Sequence, residues 1–214
     1  RRGALPLTCY LAAALLWVVL GAVHWGSDAL ARSGGTLYEA EIPVTDWQLA
    51  GLEAGNGTAE TAVLTTTNGD PQMILEDVSD MVVRTLSYTV EFEGDAREMC
   101  LYYTTKVGED YSQDRRVFPE ALGDGKYLYT LPRTSIVALR LDPCSPDENK
   151  TVEMTFTPGT ISLNKAETLP EVWQYFVPSW YQAFCLVLYP ALAAAACSWL
   201  RAVVRALRQR KKAQ

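Results

Sequence analysis

Hydrophobic and polar positions divide this chain into three parts. From Leu5 to Trp25, and again from Val172 to Leu200, no Asp, Glu, Lys or Arg interrupts the run. Each run exceeds the roughly 20 apolar residues with which a helix crosses about 30 Å of hydrocarbon, so both predict membrane spans. Between them the pattern changes to short alternating runs separated by Gly, Pro, Asp and Asn. "TLSYTVEFE" (85–93) sets Leu86, Tyr88, Val90 and Phe92 on one face and Ser87, Thr89, Glu91 and Glu93 on the other, the period of two that marks a half-buried antiparallel strand. "EMCLYYTTK" (98–106) follows a Gly94-Asp95 turn, so the two read as a hairpin or a slightly longer connection. Further strands are expected at 36–42, 61–67, 71–75, 115–119, 126–131, 135–141, 151–157 and 160–164. About ten strands in this length call for two packed sheets, because one sheet would leave an apolar face in water.

The predicted fold class is therefore an all-β domain, a two-sheet jelly-roll-like sandwich, flanked by two transmembrane α-helices. The expected organisation is a basic cytoplasmic end (1–4), a first span (5–25), an extracytoplasmic sandwich (26–171), a second span with a preceding interfacial segment (172–200) and a basic cytoplasmic tail (201–214).

Charge sets the orientation. All 25 acidic residues lie between Asp28 and Glu171, against 11 basic ones in the same stretch, a net −14; Arg1, Arg2 and six tail residues (Arg201, Arg205, Arg208, Arg210, Lys211, Lys212) give the ends +8. Basic flanks are retained on the cytoplasmic side, so both termini are expected inside and the acidic middle outside. The tail cations also suit anionic lipid. Trp25, Trp173, Trp180 and Tyr181 stand where amphipathic rings favour the headgroup level. Pro190 interrupts the second span, and Ala191, Ala194, Ala195, Ala196 and Ser198 offer a small-residue surface to "LAAALL" (11–16) or to another membrane subunit. A competing expectation takes Arg1-Arg2, the apolar run and Ala29-Leu30-Ala31 as a cleaved signal peptide. The chain does not open on Met, which leaves room for a longer parent protein.

Candidate chemistry is sparse. His24, at the edge of the first span, is the one histidine, so the outer domain holds no Ser-His-Asp triad, Cys-His pair or His-rich zinc site of its own. No catalytic residue, metal site or cofactor is assigned, and no nucleic-acid partner is expected. Cys100 and Cys144 are the two outer cysteines, and a disulfide between them is one possibility. In "IVALRLDP", alternation puts Arg140 and Asp142 on the face opposite Leu139 and Leu141. One reading pairs them as a surface ion pair. The other makes the face a ligand surface, with Arg140 as a hydrogen-bond fork and an exposed Tyr102 as a stacking plate.

The succession "LYYTTKVGEDYS", "GDGKYLYTLP", "ALRLDP", "VEMTFTPGTISLN" resembles the jelly-roll, carbohydrate-binding-like extracytoplasmic domains of bacterial membrane glycosyltransferases and surface-polysaccharide assembly proteins, over residues 72–164. It departs after Pro143, where "CSPDENK" replaces the usual Gly-containing turn. The resemblance implies a non-catalytic module near glycan or lipid-linked sugar. The expected function is thus a membrane-anchored binding or scaffolding accessory in bacterial surface-glycan assembly. The alternatives are a fragment of a membrane glycosyltransferase, a carboxylate-based glycan hydrolase, or a receptor-like subunit that couples the outer domain to a cytoplasmic partner.

Overall fold

The computed structural model describes residues 4–58, 60–147 and 150–212. Arg1 and Arg2 lie outside the described residues, as do the side chains of Lys211 and Lys212. In chain order the elements are α1 (Ala4–Ser33), β1 (Ala40–Pro43), β2 (Gln48–Ala50), β3 (Leu52–Ala54), β4 (Ala62–Thr66), β5 (Gln72–Leu75), β6 (Thr85–Glu93), β7 (Cys100–Thr104), β8 (Arg116–Val117), β9 (Glu120–Gly123), β10 (Lys126–Thr130), β11 (Ala138–Asp142), β12 (Glu153–Phe156), β13 (Thr160–Leu163) and α2 (Trp180–Lys212). They form two compact units, residues 30–169 and residues 1–29 with 170–214.

The first unit is a two-sheet antiparallel β-sandwich. One sheet has eight strands, with β1, β13, β6, β12, β4 and β3 in succession and β9 and β10 joined to it through β6; the other has five, in the order β2-β5-β11-β7-β8. Its core is closed by the inward residues of both sheets, among them Leu64, Met73, Leu86, Leu101, Tyr129, Leu139, Leu141, Met154, Phe156, Ile161 and Leu163, all essentially inaccessible to water. The alternation read from residues 85–93 is realised without a shift: β6 has the predicted bounds and pairs with β10, β12 and β13.

Three features differ from the sequence expectation. β2, β3 and β9 are additional to the strands expected from the sequence. β6 and β7 do not form a hairpin: β6 belongs to the larger sheet and β7 pairs with β11 and β8 in the smaller one. The connection crosses between sheets, turning at Gly94 (φ +119°) and Arg97 (φ +54°). Finally, the strand expected at 135–141 runs from Ala138 to Asp142, and Ile136 before it is buried in the core.

The second unit holds the apolar helices. Both are long and apolar enough to cross a membrane, and almost all of their side chains are uncovered by protein, as a helix surrounded by lipid requires and a soluble core helix does not. Their contacts are specific. The Trp17 indole donates to the Phe176 carbonyl at 2.9 Å, the Tyr10 hydroxyl to the Val187 carbonyl at 3.1 Å in the turn that Pro190 interrupts, and the Tyr175 hydroxyl to buried Asp28 at 2.9 Å. The small-residue surface is not covered by the first helix: Ala194 is buried, whereas Ala191, Ala195, Ala196 and Ser198 are exposed.

Helix α1 also runs eight residues beyond the predicted span. It stops at Gly34-Gly35, where Gly35 takes φ +73° and the Thr36 N–H returns to the Ala31 carbonyl, a left-handed C-terminal cap.

Candidate functional site

Outward residues of the five-stranded sheet gather the sequence candidates. Because β11 pairs with β7 in the register Arg140↔Tyr102 and Asp142↔Cys100, these four side chains share one face, opposite Leu101, Leu139 and Leu141 in the core. The Arg140 guanidinium lies 4.6 Å from the centre of the Tyr102 ring and 5.7 Å from that of Tyr111. It donates to both carboxylate oxygens of Asp142, at 2.8 and 2.7 Å, with Asp70 at 3.9 Å. Two-pronged bonds of this kind are the strong, oriented form of the pair.

Arg140, Asp142 and Tyr102 are therefore brought together, as a closed cluster. Burial pushes the Asp142 carboxyl above its usual range while the two Arg140 bonds pull it back; those same bonds raise the guanidinium. Tyr102 is only 5% exposed and its ring is faced by the guanidinium, so it is not the exposed stacking plate expected of it. The adjoining residues 105–115 are folded by Glu109. Glu109 accepts from the Thr105 N–H and hydroxyl at 2.9 and 3.1 Å and pairs with Arg115 at 2.5 Å. These contacts hold the Glu109 carboxyl down at about 2, Arg115 contributing most. The loop so folded brings Tyr111 to Arg140.

The open part of this face is at the β8 edge, and sequence reasoning missed it. Phe118 is 54% exposed, with the Arg116 guanidinium 4.8 Å from its ring centre and Glu98 3.3 Å from Arg116. The signal was present in "RRVFP": with Val117 packed against the core, alternation turns Arg116 and Phe118 outward. What sets Phe118 apart is that a guanidinium and a carboxylate stand beside its exposed ring.

Cys100 and Cys144 are free thiols, which corrects the disulfide expectation. Cys100 Sγ sits 3.9 Å from Asp142 on the outer face, and Cys144 Sγ 3.9 Å from Met154 Sδ in the core, so their side chains serve different layers. Burial raises both thiols, Cys144 to about 12. Trp25, Trp173, Trp180 and Tyr181 all leave their rings exposed, and Arg201, Arg205, Arg208 and Arg210 are exposed along α2.

Among solved structures, the chain is similar to a low-affinity xylan-binding module, CBM86, from Roseburia intestinalis (14% identity over 62% of this chain and 99% of that one, TM-score 0.37). It is similar also to a family 29 carbohydrate-binding module (6%, 62% and 94%, TM-score 0.41) and to the C-terminal CBM6 of a laminarinase from Zobellia galactanivorans (9%, 60% and 100%, TM-score 0.40). No family model matches the sequence, and no curated protein matches it.

Proposed function

We propose that this chain is a membrane-anchored, non-catalytic module whose sandwich holds glycan outside the membrane, as an accessory to bacterial surface-glycan assembly. The observation that carries the reading is Phe118. A sugar ring presents one face of C–H groups rimmed by hydroxyls; an exposed aromatic plate packs that face, and planar charged groups beside it bond the rim. Phe118 supplies the plate, Arg116 and Glu98 the rim contacts. The closed Arg140 cluster next to it acts as a rigid floor.

The two apolar helices support the anchoring, and the charge asymmetry supports an orientation with the ends in the cytoplasm and residues 26–171 exported. Full-length protein in zwitterionic nanodiscs, applied to a glycan array, should retain a subset of glycans. Phe118→Ala should weaken retention about ten-fold, close to the 0.5–1.5 kcal/mol of an aromatic contact. If the wild type retains nothing, or Phe118→Ala retains as much as the wild type, this face is not a glycan site.

A further inference from the structure

Helix α2 is longer than a bilayer needs. Its 33 residues extend about 50 Å at 1.5 Å per residue, or about 47 Å along the normal at an ordinary tilt near 20°, against about 30 Å of hydrocarbon. With Trp180 and Tyr181 at one headgroup level, roughly the last eleven to thirteen residues leave the lipid. Charge marks the same boundary, since the first charged residue after Glu171 is Arg201. Across and beyond it, Leu200, Val203, Val204 and Leu207 recur at i, i+3, i+4 and i+7, the spacing of one helical face, and all four are exposed. Arg201, Arg205 and Arg208 recur at i, i+4 and i+7 on the adjoining face, about 110° round the helix, and are exposed too. No Asp or Glu follows Glu171, so the tail itself offers this row no carboxylate. Retention in the cytoplasm needs the cations alone; the apolar stripe beside them is left without a role.

We infer that this end of α2 docks an acidic amphipathic helix of a partner protein, apolar stripe against apolar stripe, with carboxylates along the Arg201, Arg205 and Arg208 row. Charges flanking an apolar seam are what select a helix's partner. A second copy of this chain would supply the seam but no counter-charge, and would bring two basic tails together. A basic amphipathic helix also suits a membrane surface, but only if it lies down on it. α2 runs unbroken to Lys212, and no Gly or Pro follows Pro190 to bend it there, so Val203, Val204 and Leu207 are carried away from the lipid. This docking rests on the two-span reading proposed above, which puts the partner in the cytoplasm.

The test uses full-length protein in phosphatidylcholine nanodiscs and two synthetic four-heptad peptides. Both have Ile and Leu at the seam positions; one has Glu and the other Lys at the positions flanking it. The Glu peptide should bind at least ten-fold more tightly than the Lys peptide and weaken as salt is raised. Val204→Ser with Leu207→Ser should cost at least ten-fold, and Gln209→Ser, on the opposite face, nothing. Reversing the row (Arg201→Glu, Arg205→Glu, Arg208→Glu) should switch the preference to the Lys peptide, a gain that a misfolded tail cannot produce. Equal binding of the two peptides, or a double-serine variant that binds like the wild type, would overturn the inference. So would loss of Glu-peptide binding in discs containing phosphatidylglycerol, because the lipid surface would then hold the tail, or self-association in micelles abolished by Val204→Ser, because a second copy would then cover the stripe. Phe118→Ala should leave peptide binding as it was, which separates this surface from the glycan site. Both ends of the protein are accessible in discs, so a tail cysteine labelled from outside intact cells would overturn the orientation with the peptide result intact.

Discussion

Asn164 ties together separate segments of the sandwich, and Asn164→Ala should show it. The residue is 1% exposed and takes φ +54°. Its Oδ1 accepts from the Arg84 and Thr85 N–H groups at 2.7 and 3.3 Å, and its Nδ2 donates to the Tyr38 and Val82 carbonyls at 3.2 and 2.7 Å. One amide thus ties three segments, before β1, before β6 and after β13. Each bond contributes about 0.5–1.5 kcal/mol net, so removing four costs roughly 2–6 kcal/mol. Alanine in the left-handed region adds about 1–2 kcal/mol, a conformation that Asn tolerates. The expected loss is about 3–8 kcal/mol, a large share of the 5–15 kcal/mol typical of a domain. Residues 30–169 contain the whole sandwich core and a single tryptophan, Trp47, 3% exposed, so urea unfolding of that segment can be followed by Trp47 fluorescence. Asn164→Gly should recover about 1 kcal/mol over Ala by relieving the backbone. A loss below about 1.5 kcal/mol for Asn164→Ala would refute the clamp, and equal stability of Ala and Gly would refute the backbone part.

The other consequences are as direct. Glu109 has its folded pKa lowered to about 2, below an unfolded value near 4.3, so its hold on residues 105–115 is complete above about pH 4.5 and is lost as pH falls toward 2. The Thr105 amide resonance should titrate with a midpoint near 2, and a midpoint at 4 or above would contradict the contact. A Cβ on Gly21 would meet Phe176 Cδ1 and the Tyr175 carbonyl oxygen, each at 2.8 Å; backbone cannot yield as a side-chain tip does, so Gly21→Leu should lower the thermal midpoint of the helix pair in micelles, and an unchanged midpoint would place that segment elsewhere. Cys100 and Cys144 should alkylate only after unfolding, with equal mobility on reducing and non-reducing gels; a faster-migrating non-reduced form would show a bond between them.

Face membership was legible in sequence wherever a strand was long. Residues 85–93 announced β6 because nine alternating positions leave one register that buries Leu86, Tyr88 and Val90 together. The same logic put Arg140 beside Asp142 and set both against the core leucines. Exposure was another matter, because alternation says which face a side chain occupies and not what lies over that face. Tyr102 is covered by Arg140, and the loop that brings Tyr111 to that guanidinium is folded by Glu109, contacts between residues far apart along the chain. Phe118 stayed open at a sheet edge for want of any such cover.

Local composition alone thus determined what depends on counting along the chain: two apolar segments long enough for a bilayer, a strong sorting of charge between ends and middle, and strands of alternating character that must close as two sheets. Tertiary structure decided what depends on pairing across it: that β6 and β7 part company into different sheets, that Cys100 and Cys144 face different layers, and that Asn164 joins three segments. The physical reason is range. Hydropathy and side-chain alternation act over a few residues, whereas coverage and hydrogen-bond partners are supplied by segments that only the folded chain brings together.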